Sequence, residues 1–157
     1  MRNQTCCFTG HRKIPPKALP ALSAQLEATV RELIASGIDH FIVGGAVGFD
    51  TIAGETVLRL RNEFPHIKLS MALPYPDMDL YWPREDAFRH LAILTQADDY
   101  KNVSERYHRG CMHERNRYMV DNSSICVAYC TRPTGGSAYT VRYAKKQGLK
   151  LIMLGKE

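Results

Sequence analysis

The chain has 157 residues, a length typical of one domain, and 45% of them are hydrophobic while 24% are charged. No apolar run is long enough to cross a bilayer and residues 1–9 lack the features of a secretory signal, so we expect a cytoplasmic protein with no membrane partner. The net charge of +5 favours anionic partners, and because the basic residues are scattered along the sequence we expect a small nucleotide and do not expect nucleic acid.

Apolar runs of strand length alternate with segments of helical periodicity along the whole sequence. Trp82-Pro83 marks an interruption or an early turn in the third helical segment, and Gly37 ends the first. The predicted elements, in chain order, are strand 5–9, helix 20–35, strand 40–43, helix 50–62, strand 68–73, helix 79–96, strand 98–103, helix 112–121, strand 124–129, helix 137–147 and strand 150–154.

This alternation predicts the fold class. Strands separated by helices of ten or more residues are typical of an α/β protein with a parallel sheet and helices on both faces. The strands are continuous apolar runs, as burial on both faces requires. We therefore expect a single domain, residues 1–157, whose ligand lies at the carboxyl ends of the strands, where the strand order reverses.

The cysteine pattern does not indicate a disulfide framework or a metal centre. The chain has five cysteines, an odd number, and four of them lie in predicted buried strands or at strand ends, so reduced thiols are expected. His108, Cys111 and His113 form the one cluster with metal-ligating residue types, but no second ligand pair stands at a zinc-like spacing. We predict no metal and no cofactor.

Three predicted strand-to-helix loops carry the functional hypothesis: TGHR at 9–12, GGAVGFD at 44–50 and RPTGGSA at 132–138. In a parallel sheet these loops share one edge. Glycine lets backbone amides approach an anion, and the helix that follows adds its positive end. One glycine-rich turn is a weak signal, because glycine also serves to tighten a turn, but two double glycines in this context predict a phosphate cradle. Neither a P-loop nor a dinucleotide fingerprint at the first turn is present.

The segment MHERNRYMVDNSSICVAYCTRPTGGSAYTVRYAKKQGLKLIML, residues 112–154, resembles the SLOG superfamily. This Rossmann-like group includes the lonely-guy phosphoribohydrolases and the DNA-processing protein A. The motifs TGHR and GGAVGFDTIAGE resemble its small bacterial and phage branch. The resemblance implies a Rossmann-like parallel sheet, a ligand related to AMP, ADP-ribose or NAD, a role in sensing or signalling, and a homodimer or higher homo-oligomer.

The resemblance also implies a set of site residues. In the phosphoribohydrolases an MHERK segment precedes a helix and a PGGxGTxxE loop follows the next strand; this chain has Asn116 in place of the lysine. By similarity Arg115 contacts the phosphate or ribose and the amides of 135–138 hold the phosphate. Tyr139 is the best placed ring for stacking on a nucleobase. The candidate ligand-binding residues are Thr9, Gly10, Arg12, Gly44, Gly45, Gly48, Arg115, Gly135, Gly136, Ser137 and Tyr139.

One departure from the family pattern leaves the reaction open. The catalytic glutamate of the phosphoribohydrolases falls on Arg142, and hydrolysis of an N-glycosidic bond needs a carboxylate. Nucleotide binding for sensing is therefore the favoured function. A phosphoribohydrolase with a relocated carboxylate is the alternative, and single-stranded DNA binding, which the positive charge permits, is a third. The candidate catalytic residues are Asp50, Glu114 and Arg115, with Glu55 and Asp121 as further carboxylates, although Asp50 at a helix start is also typical of a helix cap.

Overall fold

Six parallel strands form one sheet in the computed structural model, which describes residues 2–155. All five strand pairings are parallel. The strands are β1 (Thr5–Gly10), β2 (His40–Val43), β3 (Lys68–Leu73), β4 (Asp99–Asn102), β5 (Ile125–Tyr129) and β6 (Lys150–Met153). The α-helices are α1 (Leu19–Ala35), α2 (Phe49–Glu63), α3 (Arg84–Gln96), α4 (Cys111–Asp121) and α5 (Gly136–Lys146).

The strand order is β4-β3-β2-β1-β5-β6. The chain starts at the centre with β1, moves outward to β4, and then returns to place β5 on the other side of β1. The strand order therefore reverses between β1 and β5, and the loops that follow these two strands diverge at the carboxyl edge of the sheet. The predicted α/β, Rossmann-like fold is confirmed.

Helices cover both faces of the sheet because neighbouring residues of a strand point to opposite sides. Cys6 and Phe8 of β1 belong to the larger apolar cluster, which α1, α2 and α3 complete. Cys7 lies between them in sequence and belongs to a second cluster beneath α4 and α5. The cysteines are free thiols, as the odd count predicted, and four of them are buried.

Two sequence predictions about the elements need correction. The third helix was expected over 79–96 but begins at Arg84, because Pro83 has a fixed φ and no N–H, and residues 77–82 form turns instead. β4 was expected to be buried on both faces, yet its four residues are exposed, since it is an edge strand. The other predicted bounds agree with the structure within one residue. Between residues 2 and 155, none of the helices is long and apolar enough to cross a membrane.

Candidate functional site

A cleft of about 720 Å³ lies at the carboxyl edge of the sheet, where the strand order reverses between β1 and β5. Its walls come from the loop after β1, the start of α2, one side of α4, and the loop that joins β5 to α5. This volume is within the range of small-molecule sites. The three glycine-rich loops therefore lie at one edge, and each of them contributes to the wall.

The amino end of α5 is open to this cleft. The first backbone hydrogen bond of the helix runs from the Tyr139 N–H to the Gly135 carbonyl. The N–H groups of residues 136–138 therefore have no acceptor within the helix. Gly135 has φ +100°, and a Cβ on Gly135 or Gly136 would meet no atom within 4 Å. Backbone amides at an open helix start attract an anion. This end of the cleft can accept a phosphate group.

By the resemblance stated above, Arg142 falls where the phosphoribohydrolases have their catalytic glutamate. In the structure it contacts the β5–α5 loop. Its Nη1 donates to the Pro133 carbonyl at 3.1 Å, and the side chain is exposed outside the cleft. The α5 sequence, GSAYTVRYAKK, contains no carboxylate. By the resemblance, α5 therefore lacks the carboxylate that the phosphoribohydrolases carry at this position.

The glycines of the β2–α2 loop lie behind the cleft wall. A Cβ on Gly44 would lie 2.7 Å from Arg115 Nη1, and Gly45 offers its carbonyl to His90 Nδ1 at 2.9 Å. Gly48 has φ +82°, and a Cβ there would overlap the backbone carbonyl of Arg12. Gly44, Gly45 and Gly48 thus permit close packing between loops, and the cleft wall itself is formed by other residues of this loop.

Arg115 is 4% exposed and most of its guanidinium is used inside the protein. Its Nη1 donates to the carbonyls of Gly44 and Ala72, and its Nε donates to Asn116 Oδ1 at 2.8 Å. Its Nη2 contacts Met112 Sδ at 4.0 Å. Arg115 therefore connects α4 to the ends of β2 and β3, and it brings a buried positive charge to the floor of the cleft.

Asp50 is 6% exposed and lies beside this charge. It does not cap α2, because the cap residue is Gly48 and the Asp50 Oδ2 accepts the N–H of Ala46 at 3.2 Å instead. Burial raises the pKa of Asp50 to about 6, while the positive charge of Arg115 acts in the opposite direction. Within residues 2–155, Asp50 is the one carboxylate that lines the cleft.

The other predicted acidic and aromatic candidates lie outside the cleft lining. Glu114 lies 3.4 Å from His108 Nε2, Glu55 pairs with Arg89, and Asp121 accepts the Tyr143 hydroxyl at 2.7 Å. The Tyr139 ring packs against His113, with 4.1 Å between ring centroids, and its hydroxyl accepts from Arg117 Nη1. The predicted residues that do line the cleft are Thr9, Gly10, Arg12, Asp50, Arg115, Gly135, Gly136 and Ser137.

Sequence analysis did not predict several of the residues that line the cleft. Among the ionisable residues that it missed, His11 is the most buried. The Thr131 N–H donates to His11 Nε2 at 2.8 Å, so this ring connects the loops after β1 and β5. Burial and the neighbouring Arg132 lower the pKa of His11, so both favour the neutral ring. The motifs that were singled out contain His11 and Arg132, but only the fold shows that both face the cleft. The unpredicted polar residues of the lining are His11, Lys13, Asn116, Thr131, Arg132 and Thr134.

The cleft is electropositive. Arg12, Lys13, Arg115 and Arg132 face one carboxylate, Asp50. These cations are dispersed in the sequence, and the fold gathers them at one edge of the sheet. Such a cleft favours an anionic ligand.

A comparison with known protein families identifies the chain. The model of the YspA SLOG family matches residues 8–152. The chain belongs to the YspA SLOG family. The predicted membership of the SLOG superfamily is thereby confirmed.

Relatives of this SLOG protein occur in Bacillus and related bacteria. The SPbeta prophage-derived protein YoqJ of Bacillus subtilis (strain 168) is 32% identical over 138 residues, which are 80% of this chain and 81% of that protein. UPF0398 protein BH1768 of Halalkalibacterium halodurans is 26% identical over 134 residues, which are 83% of this chain and 71% of that protein.

Two solved structures share the fold of this YspA SLOG protein. DNA processing protein A from Helicobacter pylori has a TM-score of 0.68 at 22% identity, and DNA processing protein A from Streptococcus pneumoniae has a TM-score of 0.71 at 16% identity. The chain matches over 98% of its own length and spans 66% and 50% of those chains. At these identities the similarity establishes the fold.

The expectation that nucleic acid is not a partner is contradicted by this similarity. The Helicobacter pylori protein has this fold and a single-stranded DNA binding mode. The expectation rested on basic residues that are scattered in sequence, and the physical reason it failed is that the fold collects four of them around one cleft. A scattered sequence distribution is therefore no argument against a nucleic-acid partner.

Proposed function

We propose that this YspA SLOG protein binds a nucleotide or nucleotide sugar in the cleft between β1 and β5, with its phosphate on the amino end of α5. The observation that carries the proposal is the open start of α5 at 136–138, placed in a cleft with four cationic side chains. Backbone donors and positive charge that converge in a concave site are the usual means of holding a phosphate. Binding without hydrolysis would suit a sensing or signalling role, because α5 carries no carboxylate.

Arg132 is the cation best suited to a test of this function. It is exposed, it lines the cleft, and its Nη2 approaches His11 Nδ1 at 3.4 Å, a contact too long for a strong hydrogen bond. Its removal should therefore change ligand affinity without changing the fold. Lys146 provides a matched control, since it is exposed at the opposite end of α5 and its substitution removes the same charge.

The experiment is isothermal titration of the protein with AMP, ADP-ribose and NAD. We expect at least one of them to bind, and we expect Arg132→Gln to weaken that affinity about tenfold, the usual effect of losing one charge-assisted hydrogen bond. Lys146→Gln should bind as the wild type does. Equal weakening by both variants would indicate a general charge effect and would contradict the assigned cleft.

Single-stranded DNA is the second candidate ligand, because two structures of DNA processing protein A share this fold. The cationic side chains and open amides can hold the phosphate of a free nucleotide or the phosphate of a nucleotide within a strand, so the salt dependence of binding is used to distinguish these two ligands. Affinity for an oligonucleotide falls with salt in proportion to the number of phosphates contacted, with a slope of about −0.7 for each contact. A steep slope with an oligothymidylate, and no binding of mononucleotides, would favour DNA.

A further inference from the structure

Among the residues that the structure describes, one oxygen of Asp50 has no hydrogen-bond partner. Oδ2 accepts the Ala46 N–H, whereas Oδ1 makes no hydrogen bond to any residue between 2 and 155. The residue lines the cleft although it is 6% exposed. Among the described residues Asp50 Oδ1 is not a fully buried unpaired atom, so this oxygen is accessible from the cleft, and it is a position at which a ligand donor is favourable.

The phosphate is the wrong group for this oxygen. A phosphate and an ionised carboxylate repel each other, and the open amides of α5 with Arg132 already offer the phosphate a place. A hydroxyl group, in contrast, carries a proton that a carboxylate accepts in a strong, charge-assisted hydrogen bond. The ribose is the part of a nucleotide that supplies hydroxyl groups.

The order of the strands gives the ribose the right position. Asp50 follows β2 and the phosphate site follows β5, and β1 is the single strand between them. Neighbouring strands lie about 4.8 Å apart, so the two sites are separated by roughly 10 Å along the sheet edge. A ribose 5′-phosphate with its phosphate on α5 can extend its hydroxyl groups across a gap of this order.

We propose that Asp50 Oδ1 accepts a hydrogen bond from a ribose hydroxyl, so that the cleft prefers nucleotides with an intact ribose diol. This inference rests on the proposed nucleotide-binding function and adds sugar specificity to it. This hydrogen bond to the sugar explains why an otherwise cationic cleft contains one carboxylate. Deoxyribonucleotides lose the bond.

The test compares ligands and variants together. The four common ribonucleoside 5′-monophosphates are titrated into the wild-type protein beside their 2′-deoxy and 3′-deoxy counterparts. The same titrations are repeated with Asp50→Ala and with Glu85→Ala, which removes an exposed carboxylate from α3, away from the cleft. Thermal unfolding of each variant shows whether it remains folded.

The expected result is that at least one ribonucleotide binds the wild type about tenfold more tightly than a deoxy counterpart, the usual effect of one hydrogen bond to a charged group. Asp50→Ala should reduce this ratio to about one, and Glu85→Ala should leave it unchanged. Equal wild-type affinity for ribo and deoxy forms would overturn the inference and leave the phosphate site standing, even if Asp50→Ala did not fold. A ratio that survives in folded Asp50→Ala would overturn the assignment to Asp50. Binding of none of the monophosphates would overturn the inference, and absence of binding by ADP-ribose and NAD as well would overturn the proposed function.

Discussion

The guanidinium of Arg115 lies directly against the backbone of Gly44. Arg115 Nη1 donates to the Gly44 carbonyl, and a Cβ on Gly44 would lie 2.7 Å from the same nitrogen and 2.9 Å from Asp50 Oδ2. Glycine is therefore needed at this position to admit a buried arginine and a buried carboxylate at the floor of the cleft. This relationship between two segments distant in sequence determines the shape of the site.

Gly44→Ala should destabilise the protein, whereas Gly136→Ala should leave its stability nearly unchanged. The added methyl at Gly44 has no room beside Arg115 and Asp50, so we expect a loss of about 1–3 kcal/mol in the free energy of unfolding. A Cβ on Gly136 meets nothing within 4 Å, and alanine at a helix start keeps the stability within about 1 kcal/mol. Urea denaturation of both variants checks this. Equal losses would show that Gly44 is not constrained by these contacts.

Arg115→Ala should destabilise the protein strongly. The substitution leaves the Gly44 and Ala72 carbonyls without their donor and removes the positive charge beside buried Asp50. Loss of one partner from a buried charged network costs about 3–5 kcal/mol. The midpoint of chemical unfolding measures the effect. A variant with wild-type stability would indicate that Arg115 acts on the ligand alone.

Asp50→Asn should stabilise the protein at neutral pH. The pKa of Asp50 in the folded state, about 6, is higher than its ordinary value of 3.8, so the folded protein binds this proton more tightly than the unfolded chain does. The cost of ionising Asp50 therefore appears as the pH rises from about 4 to about 6, and it reaches at most about 3 kcal/mol above that range. Asparagine keeps the acceptor for the Ala46 N–H but carries no charge.

The measurement is the difference in unfolding free energy between Asp50→Asn and the wild type at several pH values. We expect the variant to be the more stable protein at about pH 8 and the difference to shrink toward about pH 4. A difference that does not depend on pH, or one of opposite sign, would show that ionised Asp50 is not under strain in the folded state.

Prolonged incubation with AMP should release no adenine. The α5 position that carries the catalytic glutamate in the phosphoribohydrolases is Arg142, which binds the Pro133 carbonyl, and N-glycosidic hydrolysis requires a carboxylate. Chromatography of the mixture checks this. Release of adenine by the wild type, lost in Asp50→Asn, would instead favour the phosphoribohydrolase alternative with Asp50 as the relocated carboxylate.

The parallel sheet, and the position of the three glycine-rich loops at its carboxyl edge, could be predicted from sequence because both depend on local patterns. Residues 40–43 form a continuous apolar run, and the carboxyl ends of parallel strands share an edge by geometry. The start of α3 was missed because the apolar residues before Pro83 continue a helical spacing that the proline interrupts.

The inner contacts of the site could not be predicted in this way. The Arg115 contact with Gly44 joins residues 71 positions apart, and the His11 contact with Thr131 joins residues 120 positions apart. A glycine that lets a ligand approach the backbone and a glycine that lets a buried arginine approach it look the same in the sequence. For this reason the sequence could not show that Gly44, Gly45 and Gly48 lie against other parts of the chain, and the cationic contribution of Arg132 was not predicted.

A crystal structure of the protein grown with saturating AMP would test the central claim most directly. We predict density for the nucleotide in the cleft between β1 and β5, with its phosphate within hydrogen-bond distance of the amides of 136–138 and of the Arg132 side chain. A nucleotide bound elsewhere on the molecule, or a phosphate directed away from the start of α5, would contradict the account.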